Sequence, residues 1–440
     1  MADAALCRRA AIVQADTNDR YAHWRTAAFS SSWLLYAGYY LCRENLSTVL
    51  SLPSAPAGQD SLTKLLFTFA LAYVVGHIFA GTLADLRGPR HVALIGGVVS
   101  ACATSGMLFT HTLHTLLALQ LLNGFGQGFG FPALARLLAT WFTRKERPPV
   151  LAWWSASYSL GGGLAASIAL WCATTHLLVS SSGWRRFFFF PPLLLALLSF
   201  YFYWTTRDKP QDAGLAPLSE GELAEEQEAT GVLSGWWIVL SNSHIRTIAA
   251  MYFFLKMTRY ALLFWLPLYL IQTSHLSNNR AASAGALFEL FGFVGALFSI
   301  HISTRYCNSR RYPVAAMLLF GLGFMALLQP LIANLGWWAS AVSICTMGLL
   351  VYAVDALMVS VAVLEAVPLA CSGRAIAAVN GAGSVGQMFA PLLVTWFARH
   401  YGWDNIFNLF LITFLIAAAI VAPRWNDEPP ELSIPRPVLT

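Results

Sequence analysis

Tyr36, Tyr39, Tyr40 and Arg43, in the stretch YAGYYLCREN, fall at i, i+3, i+4 and i+7. That spacing gathers three phenols and a guanidinium on one face of a helix. The surrounding segment, 24–52, is apolar. A charged side chain at the centre of a membrane span costs roughly 2.5–3.5 kcal/mol on insertion scales, so this face should turn toward protein or a wet cavity rather than lipid. A second apolar stretch, FFLKMTRYALLFWLPLYL, carries Lys256 and Arg259 at i and i+3. Two guanidiniums facing one cavity would make an oxyanion site, because the planar fork donates two parallel hydrogen bonds. The tyrosines would bond to phosphate oxygens or substrate hydroxyls, or would serve only as packed aromatics. The competing account is structural, with each arginine paired to an acid in its own half. Glu44 adjoins Arg43, but neighbouring helix residues diverge by about 100°, so sequence alone does not assure that pair.

The elements that must position these residues follow from composition. The chain has 440 residues, of which 57% are hydrophobic and 11% charged, against about 25% charged in an average soluble protein. Many apolar runs reach about 20 residues, the length that crosses a bilayer. The chain therefore reads as a polytopic membrane protein. Residues 1–23 hold Arg8, Arg9, Asp16, Asp19 and Arg20 with no apolar core before a small-residue cleavage site, so no cleavable signal is expected. The seven cysteines are scattered without a CxxC pair, which suggests neither a metal site nor a disulfide framework. No cofactor is implied. The formal charge of +6 resides in loops and is not a nucleic-acid signal. No nucleophile–base constellation stands out, so an enzyme is not expected.

Twelve spans are expected, near residues 26–50, 63–84, 91–110, 113–137, 149–176, 185–204, 245–272, 281–303, 312–331, 337–366, 374–398 and 402–422. The fold class is an all-α membrane protein of two pseudo-symmetric six-helix bundles. The expected division is 1–204, a linker at 205–242, and 243–440. The linker is acidic and contains LSEGELAEEQEA, which could form a surface helix. Two halves joined this way are the sequence form of structural repeats around a central cavity. Arginine and lysine in alternate short loops, among them Arg87, Arg90, Arg144, Lys145, Arg207, Arg310 and Arg311, put both termini on the cytoplasmic side.

Between the second and third spans stands GTLADLRGPRHV. Its glycines allow close packing and a tight turn. Asp85 can cap a helix N-terminus and pair with Arg87 or Arg90. LLNGFGQGFGFPALARLLATWF spaces glycines at 124, 126, 128 and 130, and SLGGGLAAS continues the theme. Both suit close helix approach. Neither carries the Lys-Ser/Thr of a phosphate loop.

These pieces, together with GWRRFFF, RDKPQDAGL, TRYALLFWLPLYL, ALFELFGFVGALFS and GAGSVGQMFAPLL, resemble in order and spacing the organophosphate:phosphate antiporters of the major facilitator superfamily. The resemblance spans nearly the whole chain. It implies that arginines on the first and seventh spans, here Arg43 and Arg259, grip a phosphate. Departures accompany it. Glu44 stands where a lysine is common, His77 where the second span often has lysine, and Tyr158 where better-known bacterial members place histidine. Lys256 replaces an uncharged residue, and Val354-Asp355 a Gly-Pro. Lys256 could supply the cationic charge missing at position 44. Glu289 matches a family acid that could balance an arginine. Asp355 could be a proton carrier or a counter-charge. Glu365 is expected near a helix end.

The resemblance implies an exchanger of a phosphorylated metabolite for inorganic phosphate; arginine-rich, lysine-poor usage without a targeting peptide makes a bacterial inner membrane the expected location, and a monomer is expected. Two alternatives stay open: a membrane sensor of external sugar phosphate, and a proton-coupled organic-anion carrier using Glu44 and Asp355.

Overall fold

The computed structural model of the protein describes residues 2–43, 59–110, 112–174, 188–218, 231–274 and 278–428. Glu44 and nearly all of LSEGELAEEQEA lie outside them. The first bundle contains α1 (Ala2–Arg43), α2 (Gln59–Arg87), α3 (Pro89–Gly106), α4 (Leu113–Gln127), α5 (Gly130–Trp141), α6 (Arg147–Thr174) and α7 (Phe190–Thr205). After the connection come α8 (Val232–Ser241), α9 (Ser243–Ser274), α10 (Asn278–Tyr306), α11 (Arg311–Ala333), α12 (Trp337–Val354), α13 (Ser372–Tyr401) and α14 (Ile406–Val421). Helices α4 and α5 together make one expected span, with a break at Gly128 and Phe129. With α8 set aside, the remaining helices fall one to each of the other eleven expected spans.

Two features depart from the sequence expectation. Helix α8 occupies the end of the expected linker and meets the following helix at 74°. Its apolar sequence, VLSGWWIVLS, is locked to the bundle by the Trp236 indole, which donates to the Thr82 hydroxyl at 2.9 Å. The second departure is in α12, which passes at Asp355 into an eight-residue π-helix, Asp355–Ala362. Such wide turns are rare and recur at functional sites, because the extra residue re-aims side chains.

The glycine run works by removing side-chain thickness. A Cβ on Gly124 would lie 2.4 Å from the Phe69 carbonyl of α2, and one on Gly126 would lie 2.8 Å from the Gly96 carbonyl of α3. Helix α4 is therefore clasped from both sides, which fixes the wall behind Arg43. Between bundles the closest packing is α2 on α13 and α6 on α10.

Candidate functional site

Arg43 ends the described part of α1 and reaches across to α4 and α2. Its Nε and Nη2 donate to Gln127 Oε1 at 3.3 and 3.2 Å, and Nη2 also donates to the Tyr73 hydroxyl at 3.0 Å. The guanidinium lies over the rings of Tyr40 and Tyr73, 4.5 and 4.8 Å from their centroids. These partners are neutral, and the ring faces attract the cation. Gln127 is oriented by its own amide, which donates to the Tyr39 carbonyl and the Ser100 hydroxyl.

Arg259, on α9, has different company. Nη1 donates to Asp355 Oδ2 at 3.2 Å, and Nη2 donates to the Tyr352 hydroxyl at 2.6 Å. Tyr352 in turn donates to Glu289 of α10. Tyr158, from the first bundle, donates to the same Asp355 oxygen at 2.9 Å. Two acids of the second bundle thus gather at Arg259, one directly and one through a phenol. Lys256, a turn earlier on α9, donates to the Ser384 hydroxyl of α13 at 2.8 Å and lies 5.2 Å from the Tyr73 ring centroid.

Arg43, Arg259, Lys256, Tyr36, Tyr40, Tyr158 and Asp355 line one cavity of about 20 Å³ between the bundles, room for about one water. That volume lies far below the usual range of small-molecule pockets, about 300–1,000 Å³, so the bundles are closed on the site in this conformation. Tyr40 stacks on Tyr158, and Tyr158 on Tyr352, so an aromatic bridge crosses from one bundle to the other.

Two expected site residues turn elsewhere. The Tyr39 hydroxyl donates to the Ala93 carbonyl at 2.9 Å and ties α1 to α3. It lies about 60° around the helix from Tyr36, which is enough to take it off the cavity. His77 is fully buried behind Tyr73. Its Nδ1 donates to the Tyr73 carbonyl at 2.9 Å, and its ring abuts the Tyr73 ring at 4.2 Å. It therefore touches the site only through that tyrosine. Conversely, Tyr73, Gln127, Tyr352, Tyr252, Asn380 and Ser384 were not singled out from the sequence. A polar residue inside an apolar span was the available signal for Gln127, Asn380 and Ser384.

Asp85 does cap a helix N-terminus, but that of α13 in the opposite bundle. It accepts the backbone N–H of Gly373 at 2.9 Å and of Arg374 at 3.0 Å. Its ion pairs are with Arg136 at 2.9 Å and Arg374 at 3.5 Å, rather than with Arg87 or Arg90. Arg136 also donates to the Leu369 carbonyl and the Ser372 hydroxyl. Arg90 lies over the Tyr203 ring at 3.9 Å, donates to the Tyr203 carbonyl and gives its backbone N–H to Asp208. Burial pushes the Asp208 carboxyl up, against that hydrogen bond. Glu365 pairs with Arg311 at 2.8 Å. The Asp85 cluster holds the bundles together at the end that carries the inter-bundle connection, while the arginine cavity lies deeper.

A family model described as Major Facilitator Superfamily matches residues 32–368. The membrane sensor protein UhpC of Escherichia coli is 27% identical, with 93% of this chain and 94% of that protein covered. The glycerol-3-phosphate transporter of Bacillus subtilis is 25% identical, covering 92% and 93%. A probable hexose phosphate transport protein of Chlamydia trachomatis is 26% identical, covering 92% of each. The solved structure of the proton:xylose symporter XylE bound to 6-bromo-6-deoxy-D-glucose superposes with a TM-score of 0.71 over 93% of this chain and 96% of that one, at 14% identity. With its helical bundles, inter-bundle cavity and family match, the chain belongs to the Major Facilitator Superfamily as a multi-pass membrane protein of transporter type, not an enzyme.

Proposed function

We propose that this protein is a secondary transporter that exchanges a phosphorylated metabolite, of the sugar phosphate or glycerol phosphate class, for inorganic phosphate by alternating access. The observation that carries this reading is the convergence of Arg43, Lys256 and Arg259 on one cavity between two bundles. Three buried or half-buried cations on opposite walls repel one another until an anion enters, and the anion then lets the walls draw together. The moving bodies are 1–204 and 243–440, joined by 205–242, rocking around the site. The arginine- and lysine-bearing loops at the connection end support an inner membrane placement with both termini cytoplasmic. The protein acts as a monomer.

The test is exchange in proteoliposomes loaded with inorganic phosphate and offered labelled phosphate outside. Arg43→Lys and Arg259→Lys keep the charge and lose the fork, so each is expected to lower exchange by at least tenfold. Net uptake into phosphate-free vesicles as fast as exchange would refute the antiport step. A second reading has its own support, since UhpC is named a membrane sensor and is similar over as much of the chain as the transporters are. Binding of phosphorylated ligands without exchange would favour that reading.

A further inference from the structure

We propose that α8 is an in-plane membrane helix. It lies in the bilayer interface at the connection end, with Leu233, Trp237 and Leu240 against the acyl chains and Ser234 and Ser241 toward water. The partner of its apolar face is lipid, not another protein. The proposal is independent of what the central cavity binds.

The first observation is its length and direction. Helix α8 has ten residues, about 15 Å at 1.5 Å per residue, or half of the hydrocarbon core. It cannot cross a bilayer alone. It meets α9 at 74°. Membrane-crossing helices tilt by about 20° on average, so α8 lies within about 40° of the membrane plane. The junction is polar. Asn242 Oδ1 accepts the backbone N–H groups of His244 and Ile245. The exposed Arg246 guanidinium donates to the Leu240 and Ser241 carbonyls at 3.3 and 3.1 Å. An exposed charge in the first turn of α9 places the bend at the water boundary and not in the core.

The second observation is that α8 has three faces. Gly235 and Val239 are buried, and between them the half-buried Trp236 bonds to Thr82. Leu240, Leu233 and Trp237 share an arc of about 60° next to that face and are 53%, 85% and 74% exposed. Ser241 and Ser234 lie about 20° apart beyond that arc, and both are exposed. Ile238, between the serines and the protein face, is less exposed at 37%. Protein, apolar medium and water thus each meet one side. That is the arrangement of a helix lying in the interface, the level at which tryptophan is enriched.

The third observation selects lipid as the occupant. On α2, Ile78 and Phe79 are 47% and 53% exposed and belong to the lipid-facing surface of a membrane span. Thr82 stands one turn nearer the connection end, so the Trp236 bond seats α8 at the rim of that surface. The apolar arc of α8 therefore continues a surface that lipid already covers. The placement also has a mechanical consequence. Helix α8 leads into α9, which carries Lys256 and Arg259, while Trp236 holds it to α2 of the first bundle.

The experiment places single cysteines at Leu233, Ser234, Trp237, Leu240 and Ser241 in the full-length protein with its seven native cysteines replaced. Each is spin-labelled, and variants that elute as the parent does enter nanodiscs of phosphatidylcholine and phosphatidylglycerol. Power saturation then compares collisions with oxygen, which concentrates in the bilayer, and with a water-soluble nickel chelate. At Leu233, Trp237 and Leu240 the oxygen-to-nickel ratio is expected to exceed that at Ser234 and Ser241 by at least threefold. Equal ratios with nickel dominant at all five sites would overturn the proposal, because the helix then projects into water. Oxygen dominance at all five would also overturn it, in favour of a re-entrant segment inside the core. Low collision with both reagents at Leu233 and Leu240 would overturn it too, because protein then covers the face. Recovery of oxygen access at one protein per disc would identify that cover as a second copy. Leu233 and Leu240 decide the outcome even if Trp237→Cys does not fold.

Discussion

Replacing Asp85 with asparagine keeps the side-chain shape and removes its charge from a fully buried contact. In the wild type that carboxylate meets Arg136 and Arg374 and accepts two backbone N–H groups of α13. Removing one partner of a buried ion pair costs about 3–5 kcal/mol. Arg136 keeps the Leu369 carbonyl and the Ser372 hydroxyl, which points to the lower end, about 3 kcal/mol. The Arg136 pair lies inside the first bundle and survives opening, whereas the Arg374 pair and the two N–H bonds exist only while α2 and α13 are together, so only their loss falls on this conformation and not on one opened at the connection end. With the charge-assisted bonds to α13 worth about 2 kcal/mol, the differential is a shift of roughly 30-fold in the equilibrium between them. Cys371 is a native reporter, since it sits one residue before α13 and is 1% exposed. With the other six cysteines replaced, a membrane-impermeant maleimide should label it at least tenfold faster in Asp85→Asn than in the parent, in membranes open at the connection end. A folded Asp85→Asn variant that labels at the parent rate would show that Asp85 does not hold the bundles shut, and the reasoning fails.

Gly81→Ala acts on the same closure by steric means. Its Cβ would lie 2.5 Å from the Ala377 Cβ and 2.7 Å from the Gly373 carbonyl, an overpacking worth about 1–3 kcal/mol. Faster Cys371 labelling is again expected, while a wild-type rate would mean that the helices can part locally without opening. Glu146 offers a pH test outside the membrane. Burial opposes its ionisation, but the Thr143 backbone N–H and hydroxyl and the Arg25 guanidinium together hold its carboxyl below the usual range. A depressed carboxyl contributes stability above the unfolded pKa and loses it as pH falls through the folded one. Glu146→Gln should therefore lower the melting temperature at pH 7 by the equivalent of no more than about 1 kcal/mol, given the half-exposed pair. That deficit should close as the pH drops below about 4. A deficit unchanged down to pH 3 would assign the effect to packing instead.

What the sequence makes legible here is local or periodic. A bilayer crossing needs about 20 apolar residues in a row, so the spans stand out. Closely spaced glycines mark close helix approach, and the packing of Gly124 and Gly126 is found where expected. The helical repeat also gathers Tyr36, Tyr40 and Arg43 on the cavity side. It is too coarse to exclude Tyr39, because a face defined by i+3 and i+4 spans an arc in which neighbouring helices on either side can claim the edge. Here α3 claims Tyr39 through the Ala93 carbonyl.

Charge pairing is not local, and the sequence reading misplaced it for that reason. Arg87 and Arg90 are near Asp85 in the chain, yet the fold brings Arg136 and Arg374 to it instead. Nearness in sequence says little at a helix end, where each side chain leaves in its own direction and α13 arrives from the other bundle. The same holds inside the cavity. Lys256 and Arg259 are three residues apart and look interchangeable as cations. The fold gives one of them two acids and the other a serine. Whether a buried cation is a counter-ion already satisfied or a ligand still waiting depends on which helices face it. That difference, more than the number of arginines, determines where an anion can gain by entering.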